Sequence, residues 1–113
     1  MEIRRLFPEP HMPATGERFE TLLESGGVRI ERILSAPGSS SGPYDQEGDE
    51  WVLLLQGRAL LEMEGQLEGE TEQVELGAGQ ALLLPAHCRH SVLATSADPP
   101  CIWLAVHMNG NRP

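Results

Sequence analysis

The run GSSSGPYDQEGDEWVLLLQG, residues 38–57, is the most informative stretch of this chain, and GQALLLPAHCRH, residues 79–90, is its counterpart. In the first, small and turn-forming residues give way at Glu50 to a β-rich run that Gly57 closes. In the second, the apolar residues 81–84 end at Pro85. Both apolar runs are shorter than the roughly ten residues of an ordinary helix, and turn formers bound them, so they predict strands. Tyr44 and Gln46 stand two positions apart and point to the same side of an extended backbone, with Glu50 opening the strand that follows.

Outward from these two runs the same pattern repeats. Residues 18–24 and 28–35 flank Ser25-Gly26-Gly27, the signal of a hairpin turn. Residues 58–64, 80–84, 90–95 and 101–107 read as further strands, with Asp98-Pro99-Pro100 as the last turn. The block 36–45 reads as loop. Residues 65–75 carry glutamates at 68, 70, 72 and 75 and no base, and they lack the spacing of a calcium-binding loop, so they read as a solvated hairpin loop with its flanks. A length of 113 residues supports one core. The expected organisation is an N-terminal arm over 1–17, one domain over 18–108 and a tail over 109–113. Short strands at regular spacing define an all-β sandwich or barrel, and periodicity alone does not choose between the two.

Composition excludes several function classes. Eight arginines oppose 17 acidic residues for a formal charge of −9, the wrong sign for phosphate backbones or anionic lipid, so neither nucleic acid nor a membrane is an expected partner. The chain has no lysine, which removes Schiff-base chemistry and a Walker phosphate loop. The longest apolar runs fall far short of a membrane span of about 20 residues, and no secretory signal is visible, so the reading is cytoplasmic. Cys88 and Cys101 lack CxxC spacing and read as reduced thiols. The neighbours of Cys88, His87 and Arg89, have the opposite strand parity and do not activate it.

The spacing also carries a resemblance. Gly38, Tyr44-x-Gln46, Glu50 and Gly57, followed by Gly79, Pro85-x-His87 and His90, resemble the two motifs of the cupin superfamily, and the runs around them are similar to those of small bacterial single-domain cupins. The resemblance implies a double-stranded β-helix, a jelly-roll barrel with a pocket inside. Against the family pattern, Tyr44 and Gln46 replace the two histidines of His-x-His, His87 replaces a glycine and Ala94 replaces an asparagine, while Glu50 and His90 match.

By that resemblance Gln46, Glu50 and His90 converge as ligands of a mononuclear divalent metal, with Tyr44 as a conditional fourth. The metal is Mn, Fe, Ni or Zn, since a phenol, an amide, a carboxylate and one imidazole form a harder, weaker set than three imidazoles. Tyrosine ligates well only as phenolate. The alternative is a metal-free polar cluster of the same residues. His87 either joins His90 at the pocket or stays on the rim. His107 shares parity with Trp103 and Ala105, and His11 lies in the arm. Arg32 shares parity with Val28, Ile30 and Leu34; if these face the core, its guanidinium enters the pocket and meets a carboxylate of the protein or of a ligand, and the alternative is an exposed arginine or one paired with a glutamate of the adjoining strand. Trp51 takes the outer face, and with Leu53 and Leu55 it suggests a homodimer. The expected function is a cupin acting on or binding a small polar or anionic molecule with a divalent metal. The alternative is a non-catalytic binding or sensing module without metal.

Overall fold

A computed structural model describes residues 3, 5, 11–65 and 67–108. Among these there is no helix. Nine antiparallel strands run in order: β1 (Glu17–Ser25), β2 (Val28–Ser35), β3 (Ser41–Tyr44), β4 (Asp49–Gln56), β5 (Arg58–Glu64), β6 (Thr71–Gly77), β7 (Ala81–Leu84), β8 (His90–Thr95) and β9 (Ile102–Met108). They form a five-stranded sheet in the order β1-β2-β9-β4-β7 and a four-stranded sheet in the order β3-β8-β5-β6. The two sheets share one core between their inner faces, as expected of an all-β jelly roll. No helix long and apolar enough to cross a membrane occurs among the described residues.

The alternation of β4 shows how the sequence selects faces. Glu50, Val52 and Leu54 are buried, whereas Trp51 is exposed and Leu53 half-buried. Across β9 the partners of Val52 and Leu54 are Ala105 and Trp103, both buried as well. The indole N–H of Trp103 donates to Ser35 Oγ at 3.0 Å, so the one polar atom of that ring is satisfied inside the core.

Two strands differ from expectation. β3 forms inside the stretch read as loop, because Ser41 and Tyr44 pair with Val92 and His90 on β8. β6 forms inside the acidic stretch read as a loop with its flanks. Its Val74 and Leu76 pair with Leu61 and Ala59 of β5, and Leu76 is buried, while Glu72 and Glu75 remain exposed. Only two apolar residues were needed to fix that strand, and the surrounding glutamates hid their alternation. The barrel begins at Glu17, one residue before the expected boundary, and Gly16 is tied in by the N–H of Ala36 at 2.8 Å. The tail 109–113 and, within the arm, residues 1, 2, 4 and 6–10 lie outside the described residues.

Gly57 links β4 to β5 at φ +93°, and a Cβ built there would stand 2.8 Å from Ser96 Oγ and 2.9 Å from Cys101 Sγ. Backbone strain and steric clash act together, so Gly57→Ala is expected to destabilise the fold by roughly 2 kcal/mol in urea unfolding. An alanine variant as stable as the parent would show that this junction relaxes freely.

Candidate functional site

Between the sheets lies a cavity of about 60 Å³. Its floor is apolar, made by Ile33, Val52, Leu61, Leu84 and Val92, with the rings of Trp103 and Phe19 beside them. Its polar wall contains Tyr44, Gln46, Glu50 and His90, so the four positions singled out by spacing do line one space. They arrive from different elements. Tyr44 ends β3, Glu50 lies near the start of β4, His90 starts β8, and Gln46 sits on the connection between β3 and β4.

That connection is held by the turn between β7 and β8. The N–H of His87 donates to the carbonyl of Gln46 at 2.7 Å, and the N–H of Ala86 donates to Asp49 Oδ1 at 2.7 Å. His87 adopts φ +60°, the left-handed conformation for which the motif's glycine is suited. Its side chain does not join His90. It faces outward and meets Asp45 Oδ1 through Nδ1 at 3.1 Å, and with side-chain exposures of 68% and 61% this contact contributes little. His87 therefore serves the site through its backbone.

Arg32 also lies elsewhere. β2 turns Glu31 and Ile33 to the cavity, leaving Arg32 on the opposite face beside its cross-strand partner Glu20. The guanidinium donates from Nε and Nη2 to Glu20 Oε1 at 2.9 and 2.7 Å. The carboxylate that a buried arginine requires thus comes from the neighbouring strand. The strand's apolar residues fall on both parities, at 28 and 30 and then at 33 and 34, which is why sequence parity misassigned the inner face.

Three polar residues of the cavity escaped the sequence reading: Glu17, Glu31 and His107. Glu17 was assigned to the arm. Glu31 follows from Ile33 once that residue is known to face inward, and His107 follows from the parity of Trp103. His107 Nε2 and Glu31 Oε1 are 2.7 Å apart, with little exposure of either side chain. Tyr44 donates its hydroxyl to Glu17 Oε1 at 2.8 Å, and Ser35 Oγ donates to Glu17 Oε2 at 3.3 Å. With the Trp103 bond, this makes a chain from Trp103 through Ser35 and Glu17 to Tyr44, crossing from one sheet to the other.

The two residues that keep the motif differ in their bonding. His90, 6% exposed, has Nδ1 at 2.9 Å from the carbonyl of Cys88, which fixes the proton on Nδ1 and the lone pair of the neutral ring on Nε2. Glu50, 5% exposed, makes no hydrogen bond or ion pair with any other described residue. Among the described residues no three His, Cys, Asp or Glu side chains converge as a metal cluster. Cys88 is unpaired, and burial followed by the Glu64 carboxylate pushes its thiol up, away from nucleophile chemistry.

The comparisons agree with this architecture. Residues 32–107 match the cupin domain family, Cupin_2, and the chain belongs to it. A crystal structure of a candidate mannose-6-phosphate isomerase from Ralstonia eutropha is 40% identical, covers 96% of this chain and 99% of its own, and superposes with a TM-score of 0.82. A cupin superfamily protein of Desulfitobacterium hafniense, at 21% identity over 95% of this chain and 94% of its own with a TM-score of 0.74, shares the fold. Among curated proteins, the 3-hydroxyanthranilate 3,4-dioxygenases of Burkholderia lata and Paraburkholderia phytofirmans are each 30% identical over 73 residues. The match takes in 65% of this chain and spans 41% of their length.

Burial raises the pKa of Tyr44, and the nearby carboxylates of Glu17 and Glu50 raise it further. Tyr44 is the chain's single tyrosine, so phenolate absorbance reports it alone. The titration midpoint should lie above 10, and Glu17→Gln should bring it back down. The folded state then holds the proton longer than the unfolded chain does, so this group's contribution to stability persists below pH 10 and is lost as pH rises through the folded value. A midpoint at or below 10 would contradict the buried hydrogen-bonded phenol.

Proposed function

We propose that this cupin binds or acts on a small polar molecule in its barrel cavity, aided by a divalent metal ion held by Glu50, His90 and the amide oxygen of Gln46. One observation carries the reading: a buried carboxylate without a partner among the described residues shares a wall with an imidazole whose Nδ1–H is committed to a backbone carbonyl. That bond orients Nε2 as a donor in the manner usual for metal-binding histidines. The donor set is small, one nitrogen, one carboxylate and one amide, and it suits Mn(II), Fe(II), Ni(II) or Zn(II) held weakly. Tyr44 is a poorer ligand than its position suggests, because its proton is bonded to Glu17 and its burial favours the neutral phenol.

A bound ion would supply a Lewis acid for a ligand oxygen. The protein's own part is to hold Gln46 through the His87 N–H, to orient His90 through Cys88, and to limit water by the apolar floor. An anionic ligand would depend on the metal for its counter-charge, since Arg32 is turned away. The dioxygenases named above support chemistry in the cavity, although they are much longer chains. The absence of a three-residue cluster among the described residues favours the second reading, a binding or sensing module that works without metal.

Protein prepared without metal should take up one of these ions at micromolar concentration, and chelator should then lower its melting temperature. His90→Ala should abolish uptake while the barrel stays folded. If uptake and chelator response are both missing, the metal-free module is the correct reading.

The same proposal includes a homodimer in the cytoplasm, where the two unpaired cysteines would stay reduced. Trp51 and Leu83 are cross-strand partners on the outer face, 39% and 50% exposed, and Leu83 belongs to β7, a four-residue edge strand. An apolar pair beside an open edge suits a second copy of the chain. Sedimentation should show a dimer at micromolar concentration, converted to monomer by Trp51→Glu with the Tyr44 titration unchanged. Monomer alone in the parent protein would refute the dimer.

A further inference from the structure

The cavity is lopsided in charge. Glu17, Glu31 and Glu50 line it, and among the described residues no arginine does, in a chain that has no lysine. Two of these carboxylates are engaged, Glu17 by Tyr44 and Ser35, and Glu31 by His107 and, at 3.9 Å, by Nε of the half-exposed Arg29. The third is the independent clue. Glu50 is more than nine-tenths buried, borders the cavity, and has no hydrogen bond or ion pair with another described residue. A carboxylate so far from water is costly unless a positive charge compensates it.

The apolar side of the cavity favours the same sign. Trp103, Phe19 and Tyr44 bring aromatic rings to it, and ring faces attract cations and repel anions. The volume of about 60 Å³ admits a head group of few heavy atoms. Gln46 and His107 border both this cavity and a wider polar groove at the barrel mouth, lined also by Arg29, Glu47 and Asp49, which offers room for the remainder of a longer ligand.

We infer that the cavity recognises an organic ammonium group, a protonated amine or a quaternary ammonium, seated between the carboxylates of Glu50 and Glu31 and the aromatic wall. The inference rests on the second, metal-free reading of the proposed function, since a metal ion on Glu50 would already supply the compensating charge, and it names the class of ligand. Its charge preference is opposite to the anionic ligand expected with Arg32 in the pocket.

Calorimetric titration of the metal-free protein with matched pairs tests it: choline against 3,3-dimethylbutan-1-ol, its uncharged isostere, and ethanolamine against propan-1-ol. At least one ammonium should bind roughly tenfold tighter than its neutral partner. Glu50→Gln and Glu31→Gln should each erase the margin, and Glu75→Gln, on the exposed side of β6, should retain it. Equal affinities within both pairs, or tighter binding of acetate than of either ammonium, would overturn the inference without recourse to any variant. Mn(II) uptake by the same preparation separates the two readings. Uptake without charge preference overturns the ammonium site and leaves the metal reading standing, whereas charge preference without uptake supports the ammonium site and overturns the metal reading.

Discussion

The parity of β4 is the constraint on which the site depends. The alternation that places Val52 and Leu54 in the core also carries Glu50 into it, and a strand whose neighbours are well packed cannot rotate one side chain out without exposing the others. A carboxylate is thereby forced into the apolar interior. The described residues around it offer a cavity rather than a hydrogen-bond donor, while Arg32 is held by Glu20 on the opposite face. The hydrophobic core and the functional chemistry are consequences of one pattern.

Around Glu50 the other polar groups are arranged in pairs that leave specific atoms available. Cys88 takes one nitrogen of His90, Glu31 takes one nitrogen of His107, and Glu17 receives the hydroxyls of Tyr44 and Ser35. Each bond fixes a tautomer or a proton position, so the cavity wall has a defined pattern of donors and acceptors before any ligand arrives. Preorganisation of this kind lowers the ordering cost of binding. Gln46 is fixed differently, through its backbone carbonyl, by a turn in which histidine occupies a conformation suited to glycine.

Much of this was legible in the sequence, and the failures have physical causes. Tyr44, Gln46, Glu50 and His90 were placed in one space by motif spacing, which survives when individual ligands change. Spacing says nothing about which face a strand turns inward when both parities carry apolar residues, and that ambiguity put Arg32 in the cavity and left Glu31 out. His107 could not be placed without knowing that Trp103 is internal. His87 was weighed as a side chain, whereas its contribution is the N–H that no side-chain pattern encodes. β6 was hidden because a strand with one solvated face needs few apolar residues, and its glutamates resembled a loop.

The bond between Glu17 and Tyr44 couples the cavity to the margin of a sheet. Glu17 is the first residue of β1, and β1 is an edge strand zipped only to β2. Edge strands open locally at far lower free energy than cores unfold. Peeling back the first residues of β1 would remove Glu17 from Tyr44 and Phe19 from the cavity wall together, while Val52, Leu54 and Trp103 stayed packed. The margin of the sheet is therefore also the margin of the cavity, and amide hydrogen exchange at residues 17–20 would report on both at once.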